Sequence, residues 1–214
     1  AYECDIPVFF RWLRCAGIPL LPEEREEGGF PVVGMGGALT YINPLAASGV
    51  CDFVVLGDGM DVMGKIADVL RRCAGGGRAK MWRELAEIPT VFVPPLHMRE
   101  GLENFNLRIA RELSLDGPYP MNSVWMTPRG AFGKTLLLEL QRGCARSCSY
   151  CTLPQCFGRM RFRKFEAVEK AIDDITARFD IGQAGLVTPE AGGYPFITPL
   201  LAKLRATEIG VSFS

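Results

Sequence analysis

Histidine occurs once in these 214 residues, at position 97, far upstream of the chain's densest cysteine group. A metal centre built on several imidazoles is therefore excluded, and a soft-metal site among these residues rests on thiols. Net charge is missing as well. Lys and Arg total 24, Asp and Glu total 24, so there is no global electrostatic case for nucleic acid or for an anionic membrane. No apolar run approaches the roughly 18–20 residues that span a bilayer. The opening Ala1-Tyr-Glu-Cys-Asp5 has no basic stretch leading into an apolar one, so no signal peptide is expected. It also lacks an initiator methionine, from which a processed chain or a fragment is expected. Two nucleotide fingerprints fall short. Gly34-Met-Gly-Gly-Ala-Leu39 has leucine where the dinucleotide motif needs its last glycine. Gly133-Lys134-Thr135 has Pro128 where a phosphate loop needs its earlier glycine, and it runs into a strand pattern.

Cysteine is not scarce. Of eight, Cys4, Cys15, Cys51 and Cys73 are scattered through apolar or amphipathic segments, while Cys144, Cys148, Cys151 and Cys156 are bunched. Small secreted disulfide scaffolds are shorter and denser in cysteine. A reducing cytoplasm, with one metal-binding cluster and several buried thiols, is the expectation. With 48% apolar and 22% charged residues, the chain can bury a core in one large or two modest domains.

Residues 5–17 read as an amphipathic helix carrying Ile6, Phe9, Phe10 and Leu13 at helical spacing. The run Glu23-Glu-Arg-Glu-Glu27 before Gly28-Gly29 reads as a solvated turn. Residues 31–37 form a short buried strand ending in glycines, and Asn43-Pro44 offers a helix start. Residues 52–56 are a second buried strand, ended by Gly57-Asp-Gly59. Residues 60–73 are a helix with Met63, Ile66, Ala67 and Leu70 on its inner face, and 79–87 a shorter one. This alternation is the grammar of a parallel α/β sheet, whose ligands bind beyond the carboxyl ends of its strands. An edge strand at 90–93 is stopped by Pro94-Pro95, and 94–130 is expected to be an irregular interdomain linker.

The second unit, 131–214, reads strand 135–140, cysteine loop 143–158, helix 164–179, strand 184–187, helix 195–207 and strand 209–213. The helix at 164–179 presents Phe165, Val168, Ile172 and Ile175. That is βαβαβ at the repeat length of a (β/α) barrel. Three strands cannot close a barrel, so either the barrel continues beyond this sequence or another chain covers the edge; truncation is the favoured reading.

Cys144-Ala-Arg-Ser-Cys148-Ser-Tyr-Cys151 follows an apolar strand directly. Thiolates are soft ligands for iron–sulfur clusters and zinc. Three from one loop can hold three corners of a cubane and leave one iron open. A structural zinc needs a fourth ligand, which Cys156 could supply. The basic run Arg159-Met-Arg-Phe-Arg-Lys164 admits a nucleic-acid reading, but the neutral chain favours a polar loop rim, with Arg159 or Arg161 available to a carboxylate.

The segment Glu139-Leu-Gln-Arg-Gly143 with the three cysteines and Tyr150, on the loop after a first barrel strand, resembles the radical S-adenosylmethionine (radical SAM) enzymes. The resemblance implies a [4Fe–4S] cluster on Cys144, Cys148 and Cys151. It implies S-adenosylmethionine on the open iron, its reductive cleavage to a 5′-deoxyadenosyl radical, and an electron donor such as flavodoxin or ferredoxin. Tyr150 and Gly143 would lie near the SAM site, and Glu190 and Gly192, in Val187-Thr-Pro-Glu-Ala-Gly-Gly193, stand where the family holds the SAM amino group. Residues 1–93 resemble the cobalamin-binding-type domain that precedes the barrel in one branch, with Gly36, Gly37, Gly57 and Gly59 at its nucleotide-tail site. The cobalt-ligand motif Asp-x-His-x-x-Gly is absent, so cobalamin is an open possibility. The expected fold is α/β: a partial Rossmann-like domain, then the first half of a radical SAM partial TIM barrel. The alternatives are an iron–sulfur or zinc protein without SAM chemistry, and an RNA-modifying member of the superfamily.

Overall fold

The computed structural model describes residues 3–26, 29–111, 114–116, 121–146 and 148–213. Glu27 and Gly28 of the charged turn, Pro118 and Pro120 of the expected linker, Ser147 of the cysteine loop and the terminal residues lie outside them. The chain is mixed α/β and forms two compact units, residues 1–112 and 113–214.

Unit 1 opens with helix α1 (Asp5–Cys15), in which Leu13 is buried and Gly17 turns the chain out with φ +67°. Strand β1 (Gly34–Met35) leads to a one-turn helix α2 (Leu39–Ile42). Asn43 then caps a 3-10 turn at 44–47, its side chain accepting from the Leu45 N–H, with Pro44 at the first position as the sequence suggests. Strand β2 (Phe53–Val55) pairs parallel with β1. Helices α3 (Met60–Arg72) and α4 (Arg78–Ala86) follow, and strand β3 (Val91–Phe92) pairs antiparallel on the other side of β2. The first sheet is thus only partly parallel.

The buried face of α3 is Val62, Ile66 and Val69, continued by Cys73; of the expected face Ile66 is buried and Leu70 packs against the core, while Met63 and Ala67 do not. Met63 is 52% exposed and Ala67 also faces out. The apolar stripe of this helix is wide enough to allow either rotation. Its stiff β-branched residues take the core position against Phe53 and Val55, leaving the flexible Met outside.

Pro94-Pro95 ends β3 but also begins helix α5 (Pro94–Glu100), where irregular chain is expected. Proline lacks only an N–H that the first turn of a helix leaves unpaired. His97 in α5 is fully buried, not a linker side chain. Its Nδ1 accepts the Val93 N–H at 2.9 Å, and its ring lies between Phe92 and Phe105. Burial pushes its pKa down, against the smaller opposing effect of Glu100. Unfolded histidine titrates near pH 6.5, and folded His97 lower, so between those values the unfolded chain takes up the proton first. The neutral ring's stabilisation is present above about pH 6.5 and is lost as pH falls from there through the lower folded value. Urea unfolding of unit 1 is expected to shift to lower midpoints between about pH 7 and 5.5, and His97→Phe to flatten that slope. An unchanged slope in the variant would remove His97 from the account.

The charged turn holds a second difference. Arg25 is 1% exposed and lies in a 3-10 turn at 23–25. It reaches Asp52, itself fully buried, at 3.2 Å, and Arg78 reaches the other carboxylate oxygen at 2.9 Å. Val33 N–H and Trp82 Nε1–H complete four donors on that carboxylate.

Unit 2 is a parallel sheet of β4 (Leu136–Glu139), β7 (Gln183–Val187) and β8 (Gly210–Phe213), with sequence neighbours adjacent in space. Between β4 and β7 lie β5 (Gln141–Arg142), the short helix α6 (Leu153–Phe157), β6 (Arg161–Phe162) and helix α7 (Phe165–Thr176). Helix α8 (Ile197–Ala206) connects β7 to β8. Val168 and Ile172 of α7 and Leu200 and Leu204 of α8 pack with Leu136, Leu138, Ala184 and Leu186 of the sheet, all fully buried. This is the expected alternation, with boundaries displaced by one to three residues.

Candidate functional site

The register of β4 on β7 sets Glu139 opposite Val187, so both strands end at the same height. Whatever follows them in sequence becomes neighbouring loop. After β4 comes the cysteine loop, and after β7 the turn 188–193. Two contacts join them. Gln141 Nε2 donates to the Glu190 carbonyl at 3.1 Å, and Arg146 pairs with the Glu190 carboxylate through Nη2 and, at 3.2 Å, Nε.

Antiparallel pairing of β5 with β6 closes the cysteine loop at its neck, Gln141 opposite Phe162 and Arg142 opposite Arg161. Gly143 makes the turn just inside the neck with φ +79°, and a Cβ there would meet the Gly158 carbonyl at 2.6 Å. Both facts restrict the position to glycine. Within the loop Cys148 is exposed, Cys144 and Cys151 are half-buried, and none of the chain's cysteines is in a disulfide. The Arg146 N–H points at Cys144 Sγ, 3.4 Å away, and the Cys151 N–H donates to the Cys148 carbonyl. Among the described residues no three Cys, His, Asp or Glu side chains are gathered closely enough to hold a metal ion. The three thiols share a loop without converging. Cys156, read from sequence as a loop thiol, is instead 3% exposed in α6.

The charges around the neck are mostly consumed internally. Glu139 accepts from Arg142 at 2.7 Å and from Arg163 at 2.6 Å. Arg163 also donates to the Leu115 carbonyl, Arg161 Nη2 to the Phe157 carbonyl at 2.8 Å, and Lys164 pairs with Asp116. Arg161 is therefore not the cation facing Glu190; Arg146 is. Its hydrogen bond to Glu190 is the main cause of its raised pKa, with Cys144 and Cys148 adding to it, and the same bond holds the Glu190 carboxyl below its ordinary value. Buried polar atoms without a partner in this unit, among the described residues, are Gln141 Oε1, Thr188 Oγ1, and Nε of Arg161 and Arg163. Of these, Gln141 Oε1 and Thr188 Oγ1 lie just past the ends of β4 and β7.

Of the other expected residues, Tyr150 is 89% exposed, and Gly192 is exposed with open space where a side chain would be. In unit 1 Gly36 and Gly37 follow β1, and Gly57 and Gly59 follow β2. Thr40 ties the two turns, donating to the Gly37 carbonyl at 2.8 Å and accepting the Gly57 N–H at 2.9 Å. Gly57, at φ +88°, is approached by the backbone of Ala110 (N at 2.9 Å from the Cβ position), so its close approach is to its own chain. Arg146 and Gln141 are the residues that sequence reasoning misses. Both lie inside the motif, and the available signal is one acidic and one basic residue in loops that adjacent parallel strands would bring together.

A family model described as "Radical SAM proteins, N-terminal" matches residues 1–94. Over that segment, less than half of the chain, the sequence is similar to radical SAM proteins. The ribosomal protein uS12 methylthiotransferase RimO of Aquifex aeolicus is 25% identical over 164 residues, 77% of this chain and 33% of that protein. An uncharacterised protein of Methanocaldococcus jannaschii is 30% identical over 90 residues, 42% of this chain and 20% of the relative. The chain thus spans between a fifth and a third of the length of these relatives. No helix among the described residues is long and apolar enough to cross a membrane.

Proposed function

We propose that residues 113–214 are the cluster-binding and S-adenosylmethionine-binding part of a radical SAM enzyme, with β4, β7 and β8 as the first three strands of a (β/α) partial barrel. The observation that carries the reading is the position of the cysteine loop: three thiols outside any disulfide, at the carboxyl end of a strand in a parallel βαβαβ sheet. The donor set fits the group, because thiols are the ligands of iron–sulfur clusters. Cys144, Cys148 and Cys151 would hold a [4Fe–4S] cluster, which when bound supplies the electron and the open iron for reductive cleavage of S-adenosylmethionine. The chain's own part is geometric. The β5–β6 neck and the turn at Gly143 hold the loop's ends, so the thiols can adjust to the cluster without disturbing β4. Glu190 presents a carboxylate to an ammonium, and exposed Tyr150 offers a ring to the adenine. No cobalamin chemistry is assigned, since Ala110 occupies the approach to Gly57. No substrate is assigned. The RNA-modifying alternative has less support: the run 159–164 directs Arg161, Arg163 and Lys164 to internal partners, and the name of the Aquifex relative specifies a ribosomal protein.

Anaerobic reconstitution is expected to give about four irons and four sulfides per chain with visible cluster absorbance. Dithionite and S-adenosylmethionine should then yield 5′-deoxyadenosine. Stoichiometric zinc and a colourless protein would overturn the reading.

A further inference from the structure

We propose that Arg146 and Glu190 form a charge-exchange latch: they hold the cysteine loop against the turn 188–193 in the ligand-free chain, then separate to take up the zwitterionic end of an α-amino acid, its ammonium on Glu190 and its carboxylate on Arg146. The inference rests on the reading that this site takes S-adenosylmethionine, and it adds how the site is kept and opened.

The two partners are unequal in the way an exchange requires. Glu190 is the fixed one. Its carbonyl accepts from Gln141 Nε2 and from the Gly193 N–H, each at 3.1 Å, and its side chain is 28% exposed over Gly193. Arg146 is the movable one, with a side chain 68% exposed, on the stretch between the β5–β6 neck and the buried Cys156 of α6. A forked arginine–carboxylate pair is specific in geometry, yet at a solvated surface it is easily broken. The pair also presents one positive and one negative group side by side, the complement of a zwitterion, so the exchange leaves no charge unmatched. Arg146 is the only charged residue between the first two cysteines, and its own N–H faces Cys144 Sγ. Displacing its side chain therefore bears on the backbone that positions the first thiol, and the latch couples ligand arrival to the setting of the loop. Arg146 acts as a positioning residue toward the cysteines and as a binding residue toward the carboxylate.

The test uses three variants of the whole chain: Arg146→Gln, Glu190→Gln, and the exchange Arg146→Glu with Glu190→Arg. Hydrogen exchange of residues 143–151 is followed in the metal-free protein, and S-adenosylmethionine binding to the reconstituted, unreduced protein is followed by calorimetry. Each single variant is expected to speed loop exchange and to weaken binding by about tenfold or more, as losing a charged hydrogen bond does. The exchanged pair should restore loop protection without restoring S-adenosylmethionine affinity, because the carboxylate and ammonium would face groups of their own sign. Unaltered loop exchange in the single variants overturns the latch. Recovery of both readouts in the exchanged pair overturns the ligand half and leaves a structural contact. If the wild-type chain takes up no iron, the functional reading fails, while exchange in the metal-free chain still decides whether the pair latches the loop.

Discussion

Asp52→Ala is expected to remove the cooperative unfolding of unit 1, leaving residues 1–112 without a defined core at room temperature. The carboxylate is fully buried and accepts four donors, from Arg25, Arg78, Val33 N–H and Trp82 Nε1–H. Removing it strands two guanidiniums, an amide and an indole N–H in the interior. Breaking a buried ion pair from one side costs about 3–5 kcal/mol, and whole domains are stable by only about 5–15 kcal/mol. The two arginines cannot simply be made apolar in compensation. Arg25 also donates to the carbonyls of Pro19, Leu20 and Val50, and Arg78 to those of Arg25, Phe30 and Pro31. These side chains hold, around one carboxylate, backbone that belongs to no sheet. Urea titration by circular dichroism and tryptophan fluorescence checks the prediction through Trp82, which touches the altered group. A variant that melts within a degree or two of the parent would show that the network contributes little.

That network is the least legible part of the sequence. Arg25 stands among glutamates, and local composition points to solvent; only the distant Asp52 draws it into the interior. Helix α3 misleads in a milder way, because its apolar stripe is wide and the choice of face lies with Phe53 and Val55. Unit 2 is legible because each strand and helix carries its pattern within itself: Val168 and Ile172 mark the inner side of α7 from spacing alone. The site divides along the same line. The cysteines and Gly143 lie within one short stretch and need no tertiary information. The meeting of Arg146 with Glu190 spans a separation of 44 residues and depends on the register of β4 on β7.

Alanine at Cys144, Cys148 or Cys151 is expected to reduce reconstituted iron and sulfide to background, each singly, whereas Cys156→Ala should leave both unchanged. A cluster held by three thiols keeps no spare protein ligand, so losing one forfeits the site rather than weakening it in proportion. The three thiols are at least partly accessible, so their removal should leave the secondary structure of the metal-free chain intact. Cys156 is buried in α6, and its replacement tests the competing four-thiol zinc site directly. Iron and sulfide assays, with circular dichroism as the folding control, separate the outcomes. Dependence on Cys156 together with bound zinc would overturn the three-thiol assignment.

The seam at Ala110 governs how the chain can be taken apart. Its N–H donates to the Leu56 carbonyl and its carbonyl accepts from Asp58, astride the left-handed turn at Gly57. The family match ends at residue 94, short of this seam. Cutting there would strip α5 from the antiparallel edge, bare the ring of Phe92 and leave two main-chain groups at 56–58 facing water. A proteolytic or cloning boundary chosen from sequence similarity would thus yield a sticky, incomplete unit, whereas one placed beyond Arg111 carries the stitching with it.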